Sequence, residues 1–176
     1  MKIEVLRIGQ RLVRDDRVTT HVALVSRAFG VSKILMQEVN PEIKKTLSEV
    51  NKVWGGIFEV EIIDNWKKTL RSKKKDSFKI VHLTMYGESI DSVQDQIRQE
   101  EQILVVVGAE KVPRDVYDLA DYNVAVGNQP HSEISALAVL LDRVFQGKQF
   151  LKKHENAQWE IVPVKRGKKV IDKTID

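Results

Sequence analysis

The sequence predicts an α/β domain with a mostly parallel sheet that is covered by helices on both faces. Six short runs rich in valine and isoleucine alternate with amphipathic or polar stretches. One run, ILVVV at residues 103–107, is apolar without alternation, which is typical of a strand buried on both faces of a parallel sheet. The length of 176 residues suits one such domain.

The positions of strands and helices follow from this alternation. The predicted strands span residues 3–8, 33–39, 58–63, 77–83, 103–107 and 122–126. The predicted helices span about residues 15–30, 40–55, 65–74, 89–99, 113–120 and 131–145. The last helix is apolar over most of its circumference, so it needs a cover on two sides. One side should lie on the sheet, and the other under the C-terminal residues or against a second subunit.

The charge divides the chain near residue 147. Residues 1–147 carry 21 basic and 21 acidic side chains, whereas residues 148–176 carry 8 basic and 4 acidic ones. We therefore expect an α/β domain over residues 1–147 and a basic C-terminal extension over residues 148–176, with a short helix and a β-hairpin packed on the same domain. Residues 65–79 hold seven further cations against one acid. These patches suit a polyanion, although a solvated lysine-rich surface has the same composition.

Composition also excludes several classes of site. The chain has no cysteine and four scattered histidines, so we expect no disulfide, no metal site and no cysteine nucleophile. No apolar run approaches the ~18 residues that span a bilayer, and no signal peptide is recognisable, which predicts a cytoplasmic protein without a membrane partner. The G-x-G-x-x-G and Walker motifs are absent, so ordinary dinucleotide and triphosphate sites have no motif support.

Three predicted strands are followed by glycine-containing loops, at residues 83–87, 108–113 and 127–133. The carboxyl ends of parallel strands meet at one edge of a sheet, where ligands bind, and glycine lets the backbone approach a ligand closely. Each loop alone could be an ordinary connection, but together they predict a ligand site. A fourth segment, RDDRVTTH at residues 14–21, follows the first strand. It suits a phosphate or ribose contact, or alternatively a helix cap with solvated arginines.

Two of these segments carry a family resemblance. ILVVVGAEKVP at residues 103–113 and NVAVGNQPHSEISALAVLL at residues 123–141 resemble motifs two and three of the SPOUT methyltransferases, which have a trefoil-knotted α/β fold. Residues 14–30 lie where motif one is found, but Leu24 stands where many members carry a catalytic arginine. The resemblance covers essentially the whole chain and is closest to archaeal members that methylate the 2'-hydroxyl of cytidine 56 in tRNA. Those members imply a tRNA ribose 2'-O-methyltransferase.

The resemblance also implies a cofactor and a partner copy. S-adenosylmethionine would be held in the knot by backbone groups of the three loops, and the enzyme would be a homodimer through the helix at residues 131–145. The implied cofactor contacts are Leu83, Gly108, Ala109, Glu110, Lys111, Val112, Val126, Gly127, Asn128, Gln129, Pro130, His131, Ser132 and Glu133.

Methyl transfer to a ribose hydroxyl needs the hydroxyl and the methyl group to be held in line, and a cation beside the developing alkoxide. We take Arg17 as the catalytic candidate, with Arg14 and Arg27 as rivals, whereas His21 could accept the proton or be structural. The candidate RNA contacts are Arg14, Lys73, Lys74, Lys75, Lys165, Arg166, Lys168 and Lys169. Two alternatives stay open: a related enzyme for another RNA position, and a non-catalytic RNA-binding protein.

Overall fold

The computed structural model describes residues 1–9, 16–109, 111–151 and 153–175. Six strands form one parallel sheet in the order β3-β2-β1-β5-β4-β6. The strands are β1 Lys2–Ile8, β2 Lys33–Gln37, β3 Glu59–Ile63, β4 Lys79–Ser89, β5 Gln102–Gly108 and β6 Tyr122–Ala125. The helices are α1 Asp16–Ala28, α2 Glu42–Trp54, α3 Trp66–Lys75, α4 Ile90–Arg98, α5 Arg114–Leu119 and α6 Glu133–Phe145. The predicted α/β class is confirmed.

Helices cover both faces of the sheet, and the larger core lies on one of them. On the first face, buried apolar side chains of the sheet pack with those of α1, α2, α4 and α6. On the second face, a smaller cluster includes Leu70 of α3 and Val116 of α5. The valines of β5 are fully buried, because this strand lies between β1 and β4 and under helices on both sides.

Short polar side chains begin several helices, as the sequence indicates. Asn65 accepts a hydrogen bond from the backbone N–H of Lys68 and caps α3. Ser89 caps α4 in the same way, and Ser132 accepts from the N–H of Ile134 at the start of α6. The last helix therefore begins two residues later than the predicted position at residue 131.

Strand β4 differs from the prediction. The loop expected at residues 83–87 belongs to the strand, which continues to Ser89 after an irregularity in its pairing with β6. Gly87 makes this possible, because a Cβ atom at that position would lie 2.4 Å from the backbone oxygen of Asn123. The expectation of a turn after Leu83 is wrong, since the pairing with β6 resumes beyond the irregularity.

The C-terminal residues form the expected β-hairpin, from β7 Trp159–Ile161 and β8 Val170–Asp172, after a 3-10 helix at Lys148–Leu151. The Trp159 ring meets the Trp54 ring edge to face at 5.9 Å, and the Gln158 N–H donates to the Val53 carbonyl at 3.0 Å. Phe150 packs against Phe29 with ring centroids 5.1 Å apart. These contacts attach the extension to the ends of α1 and α2.

Helix α6 packs between α1 and α4 on the larger face of the sheet. Its apolar surface is therefore covered mainly by neighbouring helices, and Val139 is the large apolar side chain that remains on its exposed side. No helix within the described ranges is long and apolar enough to cross a membrane.

Candidate active site

A cavity of about 840 Å³ opens at the carboxyl edge of the sheet, beside residues 82–86 of β4 and the ends of β5 and β6. The three predicted loop segments do converge there, because these strands are neighbours in the sheet. The predicted cofactor contacts that line the cavity are Leu83, Gly108, Ala109, Lys111, Val112, Val126, Gln129, Pro130, His131, Ser132 and Glu133. Gly127 and Asn128 are not among its lining residues, and Glu110 lies outside the described residues.

Side-chain hydrogen bonds fix the loop between β6 and α6. The His131 Nε2 atom lies 2.6 Å from the carbonyl oxygen of Val126, which closes the loop on itself. The Asn128 amide donates to the carbonyl of Met85 at 2.8 Å and joins this loop to β4. Asn128 therefore shapes the wall of the cavity from behind. Gly127 adopts a φ of 76°, which a residue with a side chain rarely takes.

The cavity has further lining residues outside the predicted cofactor contacts: His82, Thr84, Met85, Tyr86, Arg114, Tyr117 and Ala136. Thr84, Met85 and Tyr86 belong to the segment at residues 83–87 that the sequence singled out as a glycine-containing loop, and the structure places them in β4. The other four were not singled out, and a histidine inside an otherwise apolar strand is the one signal that could have marked His82.

His82 is held by a buried network. Its Nδ1 atom lies 2.8 Å from the Oδ1 atom of Asn123, and the Asn123 amide donates to the carbonyl of Tyr117 at 3.1 Å. The amide thus presents its oxygen to His82, so Nδ1 carries the proton. Burial lowers the pKa of His82, and the bond to Asn123 only partly opposes this shift. His82 is therefore a neutral, rigid part of the wall.

The charged groups of the wall are unevenly placed. Lys111 and Arg114 lie on the side formed by the connection from β5 to α5, and Glu133 begins α6. Glu133 is the one acidic side chain among the described lining residues. The part of the chain that the structure describes contains no cluster of three or more His, Cys, Asp or Glu side chains suited to a metal ion.

The candidate arginines occupy different edges of the sheet. Arg17 is exposed in the first turn of α1 and lines a separate pocket of about 270 Å³ with the start of α2, so it does not line the main cavity. Arg27 donates to the Oδ1 atom of Asn51 at 2.9 Å and to the carbonyl of Gly55. It joins the carboxyl ends of α1 and α2 and lines a second pocket of about 380 Å³, so it does not line the main cavity. Arg14 lies outside the described residues.

The candidate RNA contacts fall into two groups. Lys73 is 18% exposed and pairs with buried Glu4, and Lys74 donates to the carbonyl of Leu119 at 2.8 Å. Lys75 is exposed at the end of α3. The remaining four candidates, all exposed in the hairpin loop, are Lys165, Arg166, Lys168 and Lys169.

Comparison with solved structures identifies the fold. The chain resembles a TrmH/SpoU tRNA-modifying enzyme of A. aeolicus, with a TM-score of 0.58 and 16% identity over 88% of this chain and 79% of that one. It also resembles an AdoMet-bound rRNA methyltransferase of Sinorhizobium meliloti, with a TM-score of 0.59 and 13% identity over 82% of this chain and 56% of that one. The predicted SPOUT-type α/β architecture, a parallel sheet with helices on both faces, is confirmed, and the trefoil knot stays a prediction.

Sequence relatives are much closer. The tRNA (cytidine(56)-2'-O)-methyltransferase of Nitrosopumilus maritimus is 65% identical over 97% of this chain and 96% of its own length. The enzyme of the same name from Methanocaldococcus jannaschii is 49% identical, with 97% of each chain covered. The model of the family described as "tRNA ribose 2'-O-methyltransferase, aTrm56" matches residues 54–171. The chain therefore belongs to the aTrm56 family of tRNA ribose 2'-O-methyltransferases.

Proposed function

We propose that this protein transfers a methyl group from S-adenosylmethionine to the 2'-oxygen of cytidine 56 in tRNA. Sequence identities of 65% and 53% to two enzymes of that name, over 97% and 96% of this chain, carry the proposal. The cavity at the carboxyl edge of β4, β5 and β6 supports it, since its volume of about 840 Å³ falls within the range of small-molecule sites. A tRNA substrate also supports a cytoplasmic place of action.

The residues of the cavity suit this cofactor. Gly108 ends the buried strand β5 and Ala109 follows it, and the backbone of both lines the cavity, while Leu83 and Val126 offer apolar contact. Lys111 and Arg114 would face a carboxylate, and Glu133 would face a cation. When bound, S-adenosylmethionine supplies an activated methyl group on a sulfonium sulfur.

The chain's own part in catalysis is to bind the cofactor and the tRNA, to orient the ribose hydroxyl and to neutralise the charge that develops on its oxygen. The ribose hydroxyl must lie about 3 Å from the methyl carbon and in line with the bond that breaks. It becomes an oxyanion as it loses its proton, and a nearby cation stabilises that charge. Arg17 remains our candidate for this cation, because the first turn of α1 lies at the same edge of the sheet as the cavity. Arg14 is the rival.

A homodimer completes the proposal. The exposed side of α6 presents Ser135, Val139 and Arg143, of which Val139 is 38% exposed. A second copy on this side would cover Val139 and bring another substrate surface towards the cavity. The expected result in solution is twice the chain mass of 20.2 kDa. The trefoil knot that the family resemblance implies stays a prediction.

The decisive experiment uses two tRNA transcripts that differ in one oxygen. Labelled S-adenosylmethionine is incubated with the protein and an unmodified tRNA, and the label is mapped to single nucleotides. We expect label at the 2'-oxygen of cytidine 56 and none on the same tRNA carrying 2'-deoxycytidine there. Label at another nucleotide would disprove cytidine 56 as the target and would still show that the protein is a methyltransferase. A protein that binds tRNA but neither binds the cofactor nor transfers label would be the non-catalytic alternative.

The Arg17→Ala variant tests the catalytic candidate. We expect turnover to fall by about 10²–10³, since a missing oxyanion partner costs that much in other enzymes. The affinity for tRNA should change by no more than a few fold. Lys52→Ala, which removes an exposed cation from α2, is the charge-matched control and should keep full turnover. A large loss of tRNA affinity with unchanged turnover at saturation would assign Arg17 to RNA binding instead.

A further inference from the structure

A fully buried arginine lies beside the candidate active site. Arg7 is a residue of β1, where it pairs in register with Val107 of β5 and Met36 of β2, and it is 1% exposed. Removing a guanidinium from water costs several kcal/mol unless good partners compensate. The partners of Arg7 therefore show what holds its guanidinium in place.

Two contacts of Arg7 point to the cavity. Its Nη1 atom donates to the carbonyl of Gly9 at 3.3 Å, and its Nη2 atom lies 3.6 Å from the Oε1 atom of Glu133. Glu133 is the first residue of α6 and is 22% exposed, so its carboxylate lies between the buried guanidinium and the cavity. The amino end of the helix stabilises a carboxylate at the same place.

Glu133 is the group of this wall that suits a cation. S-adenosylmethionine has two positive groups, the sulfonium and the ammonium, and one carboxylate. Lys111 and Arg114 bring positive charge to the other side of the cavity, which leaves Glu133 as the acidic partner among the described lining residues. A carboxylate that is already held in one place loses less conformational entropy when it binds, so its contribution to affinity is larger.

We propose that Glu133 is the counter-charge for the cationic end of the cofactor, and that Arg7 is a positioning residue that fixes its carboxylate from behind. This inference rests on the proposed function. Arg7 has almost no exposed surface, so it acts through Glu133 and does not touch the ligand. The planar, permanently charged guanidinium suits this role better than an ammonium would.

The test is a double-mutant cycle on the full chain, with the dissociation constant of S-adenosylmethionine measured by calorimetry. Glu133→Gln should raise it about tenfold, the effect of losing one hydrogen bond to a charged group. Arg7→Lys should raise it several fold in the native background. In the Glu133→Gln background, Arg7→Lys should change it by less than about twofold, because the carboxylate that Arg7 positions is gone.

A merely structural Arg7 would behave differently. Arg7→Lys would then lower the melting temperature and alter cofactor affinity by the same factor in both backgrounds, and that result would overturn the inference. The control is Arg71→Lys, at an exposed arginine of α3 that does not line the cavity. It should leave the dissociation constant unchanged.

A second variant keeps the test decisive if Arg7→Lys does not fold. Glu133→Asp retains the charge but withdraws the carboxylate from Arg7 by one methylene group. We expect cofactor affinity to fall several fold, and unchanged affinity would refute the inference. If the native protein binds S-adenosylmethionine and every variant binds equally well, this inference alone fails. If the native protein does not bind it at all, the proposed function fails as well.

Discussion

Helix α3 and the β7–β8 hairpin are both basic in sequence but differ in what their charges contact. Three of the lysines of α3 meet acids from other parts of the chain: Lys67 pairs with Asp115, Lys73 with Glu4, and Lys74 with Asp121. In the hairpin loop, the four exposed cations at residues 165–169 form no ion pair with any described residue. The difference shows that partner availability, rather than charge density, decides which basic segment is free to meet a polyanion.

The largest effect should come from breaking the most buried pair on α3. Lys73→Met leaves Glu4, which is 1% exposed, with Lys2 at 3.0 Å as its one remaining ion-pair partner among the described residues. The loss of one partner of a buried pair costs about 3 kcal/mol of unfolding free energy. Denaturant unfolding measures it, with Lys75→Met on the same helix as the control. A Lys73→Met protein as stable as the native one would show that α3 is held by its apolar side alone.

The hairpin should show the opposite behaviour. Neutralising Lys165, Arg166, Lys168 and Lys169 together should leave the unfolding free energy within about 0.5 kcal/mol, because exposed side chains without partners contribute little. The affinity for tRNA should fall by about tenfold or more, and the dependence on salt concentration should become shallower by up to about one unit per lost phosphate contact. Titrations at several salt concentrations test this. An unchanged salt slope would assign tRNA binding to another surface.

The smallest predicted effect is a loss of stability at acidic pH. Burial raises the pKa of Glu4, but its hydrogen bonds and ion pairs with Lys73 and Lys2 outweigh burial and hold the pKa below the ordinary value of 4.5. The pair therefore contributes its full stability above pH 4.5 and loses it as the pH falls through the folded-state pKa. Unfolding experiments between about pH 6 and pH 3 test this. The difference in unfolding free energy between the native protein and Lys73→Met should become smaller as the pH falls. The hairpin variant should show no such convergence.

Much of the fold was predictable from local signals. Five apolar residues without alternation indicated strand β5, and the predicted helices at residues 65–74 and 89–99 correspond to α3 and α4, which Asn65 and Ser89 cap. The convergence of the segments at residues 83–87, 108–113 and 127–133 followed from the rule that parallel strands end at one edge. These features are local or topological, so a sequence records them directly.

What the sequence could not indicate depends on contacts between distant residues. The continuation of β4 past Leu83 needs the backbone of β6 beside Gly87, which no local pattern records. The burial of Lys73 depends on Glu4, 69 positions away along the chain. In the sequence, Arg7 is an ordinary polar residue of a predicted strand, and only the structure places Glu133 next to it. The errors of prediction therefore concern residues whose partners are distant in the chain, and such distant contacts also form the candidate site.

The pairing of β1 with β5 has a consequence for how the chain reaches its native state. Lys2 lies opposite Gln102, so β1 must wait until about a hundred more residues are made before its second edge is covered. Contacts between such distant residues slow folding, because a long loop must close first. During that interval the apolar edge of β1 is exposed to other nascent chains. Production of the protein is therefore expected to depend on how quickly translation passes through β5, as well as on the stability of the finished fold.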